Sequence, residues 1–216
     1  MKKILVSALV VILILLIYII FKDNKIYYVS ISDIESDKYT YKDYVKDYLE
    51  EFDKLENYTD LQENDIRITD IIKNIEDNKE YGEKTIQNIL IKADLLTLSI
   101  GYNDLISKID KYSTYKMYSY INTFIEDLDK LFDILRIYDK EKIIMLGYYN
   151  IYDEEYDSII KYINSRVEEV SKKHNIDYID LSDIKKYIVD NYIGIEGEHI
   201  IFDRIRCIID DNIKRK

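Results

Sequence analysis

The sequence is short of the residues that break regular structure, form disulfides or bind metals. Its 216 residues include no proline, 5 glycines, 1 cysteine and 2 histidines. The single cysteine, Cys207, excludes an intramolecular disulfide and a multi-cysteine zinc site. Chemistry that depends on histidine has only His174 and His199 to use. Collagen-like chains and proline-rich linkers are excluded by composition.

The overall composition is that of one acidic globular domain. Hydrophobic residues make up 47% and aromatic residues 13% of the chain, which excludes a disordered protein despite 34% charged residues. The length supports one ordinary domain. A formal net charge of -11 repels a phosphate backbone, so we expect no nucleic-acid partner.

The amino terminus has the pattern of a membrane anchor. Residues 4–21 carry no charge and follow Lys2 and Lys3, and a span needs roughly 17–25 such residues. We therefore predict an anchor and tether at 1–25 and one domain at 26–216. The protein would be single-pass in the cell membrane with its carboxy-terminal domain extracytoplasmic. A cleaved signal peptide is the alternative.

The rest of the chain alternates short apolar runs with amphipathic helices. Strands buried on both faces and separated by helices predict a mostly parallel sheet in a three-layer α/β/α sandwich, flavodoxin-like in type. Ligands bind at the carboxyl ends of the strands in such sheets. The predicted strands are 26–31, 95–100, 143–148 and 178–181. The predicted helices are 41–55, 68–77, 85–92, 115–137, 153–173 and 200–213.

One motif follows a buried strand directly: Ser99-Ile100-Gly101-Tyr102-Asn103-Asp104-Leu105. It resembles the Gly-x-Asn-Asp block of the SGNH (GDSL) hydrolases, and the order of the segments ITDIIKNIEDNK, IIMLGYYN and IDYIDLSD resembles a bacterial acylhydrolase-like subgroup. The resemblance implies the SGNH fold and ester hydrolysis. In that family a serine in a Gly-Asp-Ser turn attacks the ester and a late histidine is the base. Backbone N–H groups and the asparagine hold the oxyanion.

Several of the implied catalytic positions hold unsuitable residues here. The first strand is followed by Ser32-Asp33-Ile34, which puts Ile34 at the nucleophile position. The glycine of the second block falls on Asp65, and the late histidine falls on Glu196 when the apolar stripe of the last helix is aligned. Gly101, Asn103 and Asp33 remain as the cleft and oxyanion candidates.

A second alignment keeps a catalytic pair. Glu196-x-x-His199 has the spacing of an acid and a histidine, so His199 would be the base with Ser32 or Ser36 as the nucleophile. This shift moves the last helix out of phase with its apolar stripe. His174 follows Lys172-Lys173 and is interpreted as a cation at a helix end.

The sequence thus leaves three functions open, and whether the protein is an enzyme stays undecided. The first is a degenerate SGNH-like protein with impaired or lost esterase activity, whose cleft binds an acyl or glycan ligand or an envelope protein. The second is an active serine esterase or deacylase on envelope lipid or glycan esters, and the third is a structural interaction module. We predict no cofactor and no metal site.

Overall fold

A computed structural model describes residues 25–33, 38–109, 111–138, 142–152, 154–189 and 192–213. Its centre is a five-stranded, entirely parallel sheet in the order β2-β1-β5-β6-β7. The strands are β1 (Ile26–Ser32), β2 (Leu55–Gln62), β3 (Glu80–Tyr81), β4 (Lys84–Thr85), β5 (Leu95–Ser99), β6 (Lys142–Leu146), β7 (Asp177–Ile179), β8 (Ile188–Val189) and β9 (Tyr192–Ile193). The short pairs β3–β4 and β8–β9 form separate antiparallel hairpins.

In the part of the chain that the structure describes, six α-helices cover the two faces of this sheet. They are α1 (Tyr41–Glu51), α2 (Ile68–Glu76), α3 (Ile86–Lys92), α4 (Thr114–Ile137), α5 (Asp157–Lys173) and α6 (Ile195–Ile213). Alternate residues of β1 enter opposite cores: Tyr27 and Val29 pack with α2 to α5, whereas Tyr28 packs with α1 and α6. The predicted three-layer α/β/α sandwich with a mostly parallel sheet is therefore confirmed.

The first helix is shorter than the sequence pattern predicts, because the chain turns into a strand. The predicted helix 41–55 ends at Glu51, and Leu55 begins β2 instead. Asp53 adopts φ +52°, a left-handed conformation that a helix does not continue through. Phe52, which lies inside the predicted helix 41–55, is 58% exposed. Because β2 is an edge strand, it lacks the continuous apolar run that marks buried strands.

The last helix starts earlier than predicted. It begins at Ile195 rather than at residue 200, so Glu196 and Glu198 lie in its first turn and His199 follows directly. None of the helices within the described ranges is long and apolar enough to cross a membrane. The predicted anchor at 4–21 lies outside the described residues.

Candidate functional site

A cleft of about 780 Å³ opens at the carboxyl ends of the central strands. Its floor comes from the ends of β1, β5 and β6, and its walls come from the start of α1, the β8–β9 hairpin and the first turn of α6. This is the position at which parallel α/β sheets bind ligands. Most of the lining side chains are aliphatic or tyrosine, as is usual for a small-molecule site.

Ser32 and Asp33 form the end of β1 at the floor. Both line the cleft and both are buried, with Ser32 at 5% and Asp33 at 2% exposure. The Asp33 N–H donates to the main-chain oxygen of Ser99 at 3.2 Å, which ties the end of β1 to the end of β5. Ile34, the residue at the nucleophile position, and Ser36, the other nucleophile candidate, lie outside the described residues.

The buried carboxyl of Asp33 is held by the loop after β5. Its Oδ2 accepts the main-chain N–H of Asn103 at 3.1 Å, and Oδ1 has no hydrogen-bond partner within the described ranges. Burial raises the pKa of Asp33 to about 7, although the N–H groups of Asn103, Gly101 and Tyr102 act in the opposite direction. Asp33 is therefore close to half protonated near neutral pH.

Gly101 and Asn103 shape that loop, but Asn103 does not act as the sequence suggests. Gly101 has φ +96°, and a Cβ there would lie 2.2 Å from the Tyr148 Oη. The Asn103 side-chain amide donates to the main-chain oxygen of Asp33 at 2.8 Å. We expected this amide to donate into the cleft as an oxyanion donor. It instead fastens the end of β1, and Asn103 is not among the described residues that line the cleft.

Asp65 has the backbone conformation that favours glycine. Its φ is +60°, a left-handed value that aspartate tolerates better than most residues. This conformation fits the alignment of Asp65 with the glycine of the second family block. The side chain is exposed and does not belong to the described cleft lining. Its position therefore does not support a direct effect of the Asp65 charge on a ligand in the cleft.

The start of α6 contains the two residues that compete for the histidine position. Glu196 lines the cleft with an exposed side chain. His199 points elsewhere: its ring packs on Tyr44 and Phe202, with centroid distances of 5.3 and 5.7 Å. Its Nδ1 lies 3.3 Å from the Asp203 carboxylate. Among the described residues that line the cleft there is no histidine, so the pairing of Ser32 with His199 is not supported by this geometry.

The other histidine lies in a separate ion cluster. His174 ends α5, and its Nε2 lies 2.5 Å from the Asp129 carboxylate of α4. Lys173 contacts the same carboxylate at 2.6 Å. Since these contacts join two helices that pack together on one face of the sheet, His174 has a structural position, in line with its interpretation as a cation at a helix end.

Glu198 is the cleft residue that the sequence pattern failed to identify. Its Oε2 accepts the main-chain N–H of Tyr41 at the start of α1 at 2.8 Å, and the side chain lines the cleft. Burial raises the pKa of Glu198 to about 7, opposed by that N–H and by Lys42. The spacing of Glu198, Phe202, Ile205 and Ile209 places all four on one helix face. This spacing could have identified Glu198 from the sequence, but only if the helix had been predicted to begin at residue 195.

Tyrosines form much of the cleft wall. Seven of them line it: Tyr39, Tyr41, Tyr102, Tyr148, Tyr149, Tyr187 and Tyr192. The chain has 23 tyrosines, so no single tyrosine in the sequence indicates a functional site. Their concentration at one cleft is visible only in the structure.

Comparisons with known proteins agree on the architecture. The fold resembles that of the acetylxylan esterase Axe2 from Geobacillus stearothermophilus, with a TM-score of 0.64, 15% sequence identity, and coverage of 85% of this chain and 94% of that one. It also resembles the lipase Lip_vut3 from a goat rumen metagenome, with a TM-score of 0.62, 16% identity, and coverage of 81% and 89%. The predicted SGNH/GDSL-like fold is thus confirmed. No protein-family model matches the sequence, and no curated protein sequence matches it.

Proposed function

We propose that this protein is a membrane-anchored, SGNH-like binding protein of the cell envelope with impaired or lost esterase activity. Its cleft would hold an acyl or glycan ligand, or a segment of an envelope protein. The charge-free residues 4–21 would span the membrane and place the domain outside the cell. The observation that carries the proposal is an open cleft whose described lining contains no histidine.

Ester hydrolysis by a serine needs a base within hydrogen-bond reach of the hydroxyl. Ser32 is in the cleft, whereas His199 packs on Tyr44 outside it. The asparagine that would stabilise an oxyanion donates to Asp33 instead. The position that the family gives to the nucleophile holds Ile34, which has no nucleophilic atom. Together these features favour binding without turnover.

The alternative, an active serine esterase or deacylase on envelope lipid or glycan esters, is favoured by one observation. Ser32 lies at the floor of the cleft beside Asp33, whose pKa is raised to about 7 by burial. A carboxylate with such a pKa is a suitable general base at neutral pH. This version of the alternative needs no histidine; the pair predicted from the sequence, Ser32 or Ser36 with His199, does.

Two assays on the full-length chain in lipid nanodiscs separate these functions. We expect no labelling by a fluorophosphonate probe and no hydrolysis of p-nitrophenyl acetate above the rate in buffer. We also expect the immobilised protein to retain a lipid or glycan component of an envelope extract. The matched control is Glu196→Trp, which puts a bulky ring at an exposed position of the cleft lining.

Labelling at Ser32 or Ser36, lost in Ser32→Ala or Ser36→Ala, would establish the esterase and overturn the binding proposal. Equal retention of envelope components by the wild type and by a folded Glu196→Trp variant would show that the function does not use the cleft. That second result would favour the purely structural interaction module.

A further inference from the structure

The proposed membrane anchor would join the domain at the edge of the sheet opposite to the cleft. Lys25 is the first described residue, and Ile26 begins β1. The Ile26 N–H donates to the main-chain oxygen of Lys54, just before β2, at 2.6 Å. The Tyr27 N–H donates to the carboxylate of Asp94, just before β5, at 2.8 Å. Because the five strands are parallel, their amino ends share this edge, and the cleft lies at the other.

The connection between the anchor and the domain is too short to let the cleft face the membrane. The charge-free run ends at Phe21, and four residue steps separate it from Lys25. Even fully extended, these steps reach no farther than about 14 Å. β1 alone, with 7 residues, is about 20 Å long. For the cleft to face the bilayer, the start of β1 would have to lie at least that far away, so the cleft opens sideways or away from the membrane.

Three exposed apolar side chains lie at the same edge of the sheet as Lys25. Phe52 follows α1, Ile91 is in the last turn of α3 and Ile137 ends α4, and each of these helices leads to the start of a strand. Their exposed fractions are 58%, 61% and 77%. We call the surface formed by Lys25, Phe52, Ile91 and Ile137 the tether face. Single exposed apolar residues are common on proteins, but a group of them at the edge that the anchor joins indicates a contact surface.

The other exposed large apolar residues of the described chain lie at different places. Four of them line the cleft: Tyr39, Val189, Tyr192 and Ile195. Two more, Tyr115 and Tyr118, lie in the first two turns of α4, at the opposite end of that helix from Ile137. The tether face is therefore separate from the apolar rim of the cleft.

Charge does not select the occupant of the tether face, because lysines and carboxylates both occur at this edge. Lys25 pairs with Asp53 at 2.7 Å, and Lys142 pairs with Asp177 at 2.5 Å. Lys92, in the last turn of α3, is exposed. Apolar contact is thus the main attraction that this face offers. A bilayer surface supplies acyl chains for the apolar side chains and phosphate groups for an exposed lysine.

We propose that the tether face rests on the bilayer, with Phe52, Ile91 and Ile137 entering the interface between headgroups and acyl chains. The anchor holds this face at the membrane surface, and the cleft at the opposite edge opens away from the membrane. The inference rests on the anchoring part of the proposed function and narrows its ligand. Acyl chains within the bilayer do not reach a cleft in this orientation, whereas a ligand above the membrane does.

The test uses the absence of tryptophan from the sequence. Single Phe52→Trp, Ile91→Trp and Ile137→Trp variants of the full-length chain are placed in phosphatidylcholine nanodiscs, with or without bromine on the acyl chains. Bromine quenches the emission of a tryptophan that it contacts. We expect brominated lipid to lower the emission of all three variants at least about two-fold, because side chains of an interfacial surface lie about 5–10 Å deep.

Ile195→Trp is the matched control. Ile195 and Ile137 have the same side chain and nearly equal exposed fractions, 76% and 77%, at opposite edges of the sheet. We expect brominated lipid to leave the emission of Ile195→Trp unchanged and aqueous iodide to quench it. Adding Phe52→Ser and Ile91→Ser to the Ile137→Trp variant should reduce its quenching by bromine, because apolar contact, and not the anchor alone, holds the face on the bilayer.

Two results would overturn the inference. One is equal quenching by brominated lipid in Ile137→Trp and Ile195→Trp, and the other is quenching in Ile137→Trp that stays the same after Phe52→Ser and Ile91→Ser are added. In both cases the disc still holds the chain, so the proposed anchoring stands. Release of the wild type from membranes by alkaline carbonate would overturn the anchoring and the inference together. Retention of an envelope component and hydrolysis of p-nitrophenyl acetate test the function of the cleft separately.

Discussion

The two walls of the cleft differ in how they are built. On the β1–β5 side, Asn103 makes two partly buried hydrogen bonds to Asp33, next to the left-handed turn at Gly101. On the α6 side, Glu196 and His199 are exposed; Glu196 and Glu198 both line the cleft, and His199 packs on Tyr44 outside it. One wall is fixed by hydrogen bonds between residues far apart in the chain, whereas the other presents exposed side chains at the start of a helix.

The comparison of the two walls distinguishes residues that hold the backbone in place from residues that only a reaction would require. Gly101 cannot be replaced without a clash with Tyr148, and the Asn103 amide donates to the main-chain oxygen of Asp33. Both residues therefore stabilise the fold whether or not an ester is cleaved. A histidine at the start of α6 is not needed for the fold, because glutamate in the first turn of a helix stabilises it equally well.

The largest effect is expected from Gly101→Ala on the ordered wall. The new Cβ would lie 2.2 Å from the Tyr148 Oη and 2.8 Å from the Phe124 ring, at a φ of +96°. Strain and overpacking together should lower the free energy of unfolding by about 3–5 kcal/mol. Urea denaturation measures this loss.

Gly82→Ala is the matched control. Gly82 also has a left-handed φ, +61°, but nothing lies within 4 Å of its added Cβ. The backbone preference alone should cost about 1 kcal/mol there. If both variants lost the same stability, the close contacts at Gly101 would not contribute to the cost of the substitution. The β1–β5 wall would then not be more sensitive to substitution than an open turn.

The next effect concerns the buried charge of Asp33. Its pKa is raised from 3.8 to about 7 by burial, so the folded state binds the proton more tightly than the unfolded chain. Stability from this group is complete below about pH 4 and is lost as the pH rises through about 7. The free energy of unfolding of the wild type should therefore fall between about pH 4 and about pH 8. We expect this fall to be about 2–4 kcal/mol smaller in Asp33→Asn.

Chemical denaturation across that pH range tests the expectation. Asparagine keeps an acceptor for the Asn103 N–H, so the variant should fold, and it should gain stability relative to the wild type at the alkaline end. Glu126→Gln on the exposed face of α4 serves as the control with an unchanged pH profile. A parallel profile for Asp33→Asn and the wild type would mean that Asp33 ionises normally in the folded protein.

The fold was largely predictable because its central strands are buried on both faces. The runs in β5 and β6, LLTLS and KIIML, are almost wholly apolar, and this pattern identified them. The edge strand β2, LENYTDLQ, is partly exposed, and its sequence is polar. The sequence pattern therefore did not identify this strand, and the predicted first helix was extended to Leu55. Strand order follows from tertiary pairing, which the local pattern does not contain.

The site was predictable only in part, for a related reason. Residues next to strand ends, such as Asp33 and Gly101, were found because the ends of parallel strands meet at one edge. Glu198 was missed because its position depends on where α6 begins, and helix ends are the least certain feature of a sequence pattern. The direction of the Asn103 amide depends on Asp33, 70 residues away in the chain.

The smallest effect is expected on the open wall, for His199→Ala. The side chain is 52% exposed, and its ion pair with Asp203 at 3.3 Å is a surface contact, so the loss of stability should be below about 0.5 kcal/mol. His199→Phe, which keeps a ring against Tyr44 and Phe202, should match the wild type in urea denaturation. Neither variant should change the response to fluorophosphonate. A fall in probe labelling or in ester hydrolysis in both variants would place His199 in the cleft during turnover, and the two walls would then belong to one catalytic site.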